Sequence, residues 1–169
     1  MASQKQLALL SAGTTRWNTW RQAYPDVRAF EPDLHEADLH EAQLSGYNLG
    51  GADLTEVNLQ KADLQHVDLR EADLRGADLR EANLSHAGLL HAKLHGANLR
   101  GAILCCANLT GADFSDADLR EACLDNAILR NANFKNANLS GVDLSKADLR
   151  HIDLHEAWLD DTHHEQVAL

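Results

Sequence analysis

The stretch Ala72-Asp73-Leu74-Arg75-Gly76-Ala77-Asp78-Leu79-Arg80-Glu81-Ala82-Asn83-Leu84 decides the fold. Leucine returns every fifth residue, alanine stands two before it, and Asp or Asn lies between. Followed outward, the phase holds from Leu34 to Leu159 without insertion or deletion. Of 26 such positions 24 are Leu and two are Phe (Phe114 and Phe134), 20 of the 26 alanine slots hold Ala, and 19 of 26 intervening residues are Asp or Asn. Pro32, Tyr47, Val57, Val67, Val142 and Ile152 are the exceptions in the alanine slot. Repetition this regular fixes an architecture before local propensity is considered.

A period of five suits neither a helix, which needs apolar spacing near 3.6, nor a flat strand, which needs alternation. Ala and Leu two apart share one face of an extended segment, and the Asp or Asn between them points the other way. The remaining two positions are often polar or Gly, as in Ser45-Gly46, Arg75-Gly76 and Ser140-Gly141, and suit a turn. Each pentad is a short extended piece and a corner, so successive pentads must wind around a shared interior. With leucine as position i, the alanine is i−2, the outward Asp or Asn i−1, and the corner i+1 and i+2.

This unit resembles that of the pentapeptide-repeat family over 130 of the 169 residues. The resemblance implies an all-β solenoid, a right-handed quadrilateral β-helix with four pentads per coil and about 6.5 coils. At strand spacing the rod is roughly 30 Å long. The chain then divides into a helical N-terminal cap at residues 1–31, the β-helix at 32–161 and a C-terminal tail at 162–169.

Four pentads per coil stacks residues 20 apart and sorts the sequence into four faces. The first runs through Leu34, Leu54, Leu74, Leu94, Phe114, Phe134 and Leu154, a core column in which the two Phe rings are neighbours. The net charges of the four faces, in order, are −6, −4, −2 and zero. Asp33, Asp53, Asp73, Asp113 and Asp116 on face one are candidate interaction residues. Stacked carboxylates at strand spacing repel by about 1 kcal/mol even in water, so turn amides or cations are expected to hold them. Arg80, Arg100 and Arg120 stack on face two, where Glu81 and Glu121 predict a ladder of alternating charge. Ile103, Cys123 and Ile128 occupy outward slots, with Leu90, Cys105 and Cys106 at corners. They form a candidate apolar patch of the kind that marks a partner site.

The open ends of such a coil need cover. Ser3 to Ser11 reads as a short helix stopped near Gly13, and Thr14 or Thr15 caps a second that ends at Pro25. Trp17, Trp20 and Tyr24 share one face of that helix and are expected to dock on the first coil. The segment Trp17-Asn18-Thr19-Trp20-Arg21 followed by Pro25 resembles a lead-in of cyanobacterial members of the family. At the other end Trp158 fills an Asp/Asn slot and His164 a Leu slot. The family resemblance implies a homodimer through this C-terminal coil.

With 15 basic against 26 acidic residues and a net charge of −11, the chain is not expected to bind nucleic acid directly. It has no apolar run of membrane-spanning length and no secretory signal pattern. Three cysteines, two of them adjacent, imply no disulfide framework and suit the cytoplasm. On strand geometry Cys105 and Cys123 stand about 8 Å apart, too far for a relaxed disulfide. His66, His86 and Cys106 share a corner column, but a straight ladder offers zinc two ligands rather than four. They read as a solvated corner, and no metal or cofactor is expected. An interior filled by Ala and Leu leaves no catalytic pocket, so the chain is not expected to be an enzyme. It reads as a non-enzymatic protein-interaction scaffold. The alternative, implied by the resemblance, is a DNA-mimicking inhibitor of DNA gyrase acting through the acidic faces. The Arg ladder and the uninterrupted coils weigh against it.

Overall fold

A computed structural model of the chain describes residues 2–23 and 31–160. From Asp33 onward, i−1 residues pair in parallel with partners 20 positions later, as in Asp33↔Asp53, Asp53↔Asp73, Asp113↔Asn133 and Asn138↔Trp158. Four pentads therefore make one coil, and the strand pieces are single bridges separated by turns.

Each backbone N–H of the pentad has a defined destination, which explains the residue preferences. The i−1 N–H donates to the i−2 carbonyl of the previous coil, as Asp73 to Ala52 at 2.9 Å. The i N–H donates upward, as Leu74 to the Lys93 carbonyl at 2.7 Å, and the i+2 N–H does likewise, as Gly76 to His95 at 3.0 Å. The next i−2 N–H closes the corner, as Ala77 to Leu74 at 3.1 Å. That leaves the i+1 N–H, which no neighbouring carbonyl reaches. In all nineteen pentads with Asp or Asn at i−1, that side chain's Oδ1 accepts it. The outward Asp or Asn is thus the acceptor for the fifth donor of the unit, as buried and half-buried backbone groups require.

The corner also fixes i+2. At nearly every described corner its φ is positive, as type II turns demand: Gly76 sits at 66°, but sixteen non-glycine residues adopt the same region, among them Glu71 at 59° and His86 at 60°.

Inside, the i and i−2 residues are buried almost without exception from Leu49 to Leu144. Phe114 and Phe134 stack with centroids 5.1 Å apart and planes 1° from parallel, as the column reading expects. Leu74, Leu94 and Leu154 of the same column are buried as well.

Two helices cover part of the first coil: α1 (Gln4–Ser11) and α2 (Thr14–Ala23), joined through Gly13 at φ 101°. The cap supplies the bonds that a preceding coil would make. Gln6 Oε1 accepts from the Asp33 N–H at 2.7 Å, and the Ser3 N–H donates to the Asp33 carbonyl at 3.0 Å. The Asn18 amide accepts from the Asn48 N–H at 2.9 Å and donates to the Gly46 carbonyl at 3.0 Å. Trp17 Nε1 donates to the Asn48 carbonyl and Arg21 Nη2 to the Gly50 carbonyl, each at 2.6 Å. Trp17 is fully buried, and its ring lies 5.1 Å from that of Trp20 and 6.3 Å from that of Tyr47. Tyr47 breaks the alanine rule where the first coil meets the cap: it is buried, and its hydroxyl donates to the Leu10 carbonyl at 3.0 Å. Trp17 and Trp20 dock as expected; Tyr24 and Pro25 lie outside the described residues, as do Asp161, the tail at 162–169 and His164.

At the far end the interior loosens. Ala147, Leu149, Ile152, Ala157 and Leu159 are only half-buried, and Trp158 is 63% exposed.

One expectation fails. Cys105 and Cys123 are joined by a disulfide, with Cα atoms 5.9 Å apart rather than 8 Å. The earlier distance assumed a straight strand. In fact the corner turns immediately after Leu104, and the Leu104 N–H donates to the Cys123 carbonyl at 2.8 Å. That offset draws i+1 of one coil toward i−1 of the next. Arg130 and Asp148, also 18 apart, make the same diagonal contact at 2.6 Å.

Candidate functional surfaces

With the interior closed, recognition is left to the outward slots i−1, i+1 and i+2. On face one the acidic candidates do stack, Asp33 below Asp53 below Asp73, then Lys93 and Asp113. None is an unsupported charge. Asp33 contacts His35 Nδ1 at 2.7 Å, and this hydrogen bond outweighs burial to hold its carboxyl below the usual range. Asp53 accepts from the Thr55 hydroxyl at 2.7 Å. Asp73 is clasped by Arg75 through two bonds of 2.7 Å and approached by Lys93 at 3.7 Å. Burial would push its carboxyl up, but the Arg75 bonds prevail and it titrates low. Asp113 accepts from the Asn133 amide at 2.9 Å, and Asp116 from the Asn136 amide at 3.0 Å with His95 at 3.4 Å. The supporting amides and cations expected from repulsion are therefore present.

The sequence reading missed a local motif in these contacts. Wherever Asp-Leu-Arg occurs, the guanidinium reaches back over the leucine to its own Asp: Arg70 to Asp68, Arg75 to Asp73, Arg80 to Asp78, Arg120 to Asp118 and Arg150 to Asp148. Arg80 and Arg120 therefore pair with Asp78 and Asp118 rather than with Glu81 and Glu121. Only Arg100, which follows Asn98, reaches Glu121, at 2.7 Å. The signal was the two-residue spacing, which the turn at i+1 folds into a fork.

The apolar candidates also come together. Ile103 pairs with Cys123 on one face, and Ile128 lies on the next, paired with Asn108. Ile103 is 40% exposed, while Cys123, Ile128, Leu90 and Cys105 are half-buried and Cys106 is exposed. His66 and His86 stack at 4.9 Å with planes 8° apart, two coils and one coil below Cys106. Among the described residues, Asp33, His35 and Asp53 are the set whose ligand atoms lie within 4.8 Å of one another. Asp33 Oδ1, His35 Nδ1 and Asp53 Oδ1 are engaged in the contacts above. No helix among the described residues is long and apolar enough to cross a membrane.

Geometry thus defines the class: a β-helical repeat solenoid, closed inside and presenting columns of side chains outside. The chain belongs to the pentapeptide-repeat family, whose profile, pentapeptide repeats in eight copies, matches residues 33–70, 62–101, 92–131 and 127–163. No catalytic family is indicated. No curated protein matches the chain. Among solved structures it is similar to the pentapeptide-repeat protein Rfr23 of the cyanobacterium Cyanothece 51142, at 36% identity over 58% of this chain and 64% of that one, TM-score 0.38. The chain therefore spans less than two thirds of that relative. It is also similar to HetL of Nostoc, involved in heterocyst differentiation regulation, at 30% identity over 83% of this chain and 92% of that one, TM-score 0.19. A third is QnrB1, a plasmid-mediated fluoroquinolone resistance protein, at 21% identity over 74% and 75% of the two chains, TM-score 0.49.

Proposed function

We propose that the chain is a non-enzymatic, cytoplasmic interaction scaffold, a right-handed four-sided coil that binds a protein partner through the apolar break at Ile103, Cys123 and Ile128. One observation carries the reading. On a surface where nineteen i−1 slots hold Asp or Asn tied into their own turns, these three hold no acceptor and leave Ile103 40% exposed. Such a patch on a rigid frame binds without ordering cost. The test compares quantitative capture from the native host by wild type, by I103D/I128D and by a D113N/D116N control. A protein lost with the first variant and kept with the second supports the reading; identical capture by all three overturns it.

The charge distribution favours one second reading. Faces one and two carry −6 and −4, the asymmetry a DNA mimic would use against DNA gyrase. The Arg-Asp forks reduce that field along face two, so this reading ranks below the first. Unchanged gyrase supercoiling at tenfold molar excess of the protein would dismiss it. Self-association through the loosened C-terminal coil, with its exposed Trp158, is proposed as well. A monomer mass by light scattering at micromolar concentration would exclude it.

A further inference from the structure

The pentads without Asp or Asn at i−1 lack the acceptor for the i+1 N–H, so their corners need another tie. In five of the six such pentads before the last, that tie crosses to the next coil. Ser45 donates to the Gln65 carbonyl at 3.0 Å, and His95 meets the Ser115 hydroxyl at 3.0 Å. Asp125 accepts from Lys146 at 2.7 Å, and Arg130 donates to Asp148 at 2.6 Å. The fifth is Cys105, which follows Ile103 and is bonded to Cys123. Four of these ties are noncovalent; the fifth is covalent.

We infer that Cys105 and Cys123 form a reversible thiol–disulfide exchange site, with low-molecular-weight disulfides of the glutathione class as exchange partner. The backbone brings the pair to 5.9 Å between Cα atoms, within the range that a disulfide spans. Two backbone bonds that involve neither sulfur hold this approach: the Leu104 N–H to the Cys123 carbonyl at 2.8 Å, and the Cys123 N–H to the Ala102 carbonyl at 2.9 Å. Neither sulfur belongs to the core. Ala102, Leu104, Ala122 and Leu124 beneath them are buried, while both sulfurs belong to outward slots. Both cysteines are half-buried rather than enclosed, so an attacking thiolate has access.

The exchange balances without another reactant. One thiolate of the pair attacks the small disulfide, forming a mixed disulfide and releasing one small thiolate. The second cysteine, as thiolate, attacks the protein sulfur of that mixed disulfide and expels the other small thiolate. The dithiol is oxidised by two electrons, the small disulfide is reduced to two thiols, and the two protein protons pass to them. The product staples the coil containing residue 105 to the next one across an 18-residue loop. Because a solenoid unravels from its ends, with each repeat held by its neighbours, the staple stops fraying that starts at the loosened C-terminal coil.

The test equilibrates the intact folded chain in mixtures of reduced and oxidised glutathione, quenches with acid, alkylates, and digests with trypsin. Cleavage after Arg100, Arg120 and Arg130 puts Cys105 and Cys106 on one peptide and Cys123 on another. A reversible two-electron transition that links the two peptides through Cys105, with Cys106 alkylated throughout, is expected. The oxidised form should melt higher by on the order of 5–10 °C, and C105S and C123S should each abolish the shift while C106S preserves it. Failure of the link to form in fully oxidised buffer, consumption of Cys106 instead, or resistance of the bond to excess reduced glutathione would each overturn the proposal. The alkylation map is read on the wild-type chain, so it stands even if a serine variant folds poorly.

Discussion

The left-handed corner makes the sharpest test of how sequence and backbone are matched here. Glu71 occupies the i+2 slot at φ 59°, and its N–H donates to the Leu90 carbonyl at 2.9 Å. Substitution by Ala and by Gly removes the same charge and side chain, so the difference between the two variants isolates the backbone. Alanine there retains the left-handed penalty of about 1–2 kcal/mol. Glycine escapes it but loses about 0.5–1 kcal/mol more in chain entropy on folding. E71G should therefore exceed E71A in stability by about 0.5–1 kcal/mol, the reverse of the order in a helix or strand. The control is Gln60, an i+1 corner residue outside the positive-φ set whose N–H bonds to Asn58 Oδ1 at 3.2 Å; there Ala should exceed Gly. Urea denaturation followed by circular dichroism at fixed protein concentration reads both pairs. Ala equal to or better than Gly at position 71 would refute the assignment of that corner.

Three further outcomes are expected. Replacing Phe114 and Phe134 by Leu, singly and together, should give a coupling of about 0.5–1.5 kcal/mol in a double-mutant denaturation cycle, since the fully stacked rings support each other. W17F keeps a ring in the cap but leaves the Asn48 carbonyl without its donor, at a cost of about 1–3 kcal/mol; W17A should cost about 3–5 kcal/mol in the same assay. Acid should destabilise the solenoid with a defined sign. Asp78 and Asp118 are held below the ordinary Asp range by their Arg forks against a smaller effect of burial, and Asp33 and Asp73 also titrate low. Depressed carboxyls give stability that is present above the unfolded value, about 3.9, and lost as pH falls through the folded values. Thermal melts should be flat from these groups above about pH 5 and fall below about pH 4, with a shallower fall in D78N/D118N, where Asn keeps the corner acceptor.

Much of this was legible because one interaction pattern is written 26 times. The inward column follows from periodicity, which records what must be buried, while the coil length, and with it the Phe114–Phe134 stack, rests on the family resemblance. Features depending on the path of a single corner were harder to see. The straight-strand estimate for Cys105 and Cys123 failed because the turn after Leu104 shortens the diagonal. The turn at i+1 likewise folds Arg80 back onto Asp78 of its own pentad instead of Glu81. Asp33, His35 and Asp53 escaped notice as a set because two are near in sequence and the third meets them only through the coil. Capping by Trp17 was foreseen, whereas the Asn18 amide standing in for a strand was not, since one amide carries no pattern.

The 20-residue register also governs how length can change. An insertion of five residues at a corner preserves every turn and every buried slot, so the fold should accept it. Yet all residues beyond it move round by a quarter turn, and Ile103 no longer shares a side with anything it faced below. An insertion of 20 lengthens the rod by one storey and leaves each side's inscription in line. Folding therefore counts in fives, while any partner that reads along the rod must count in twenties.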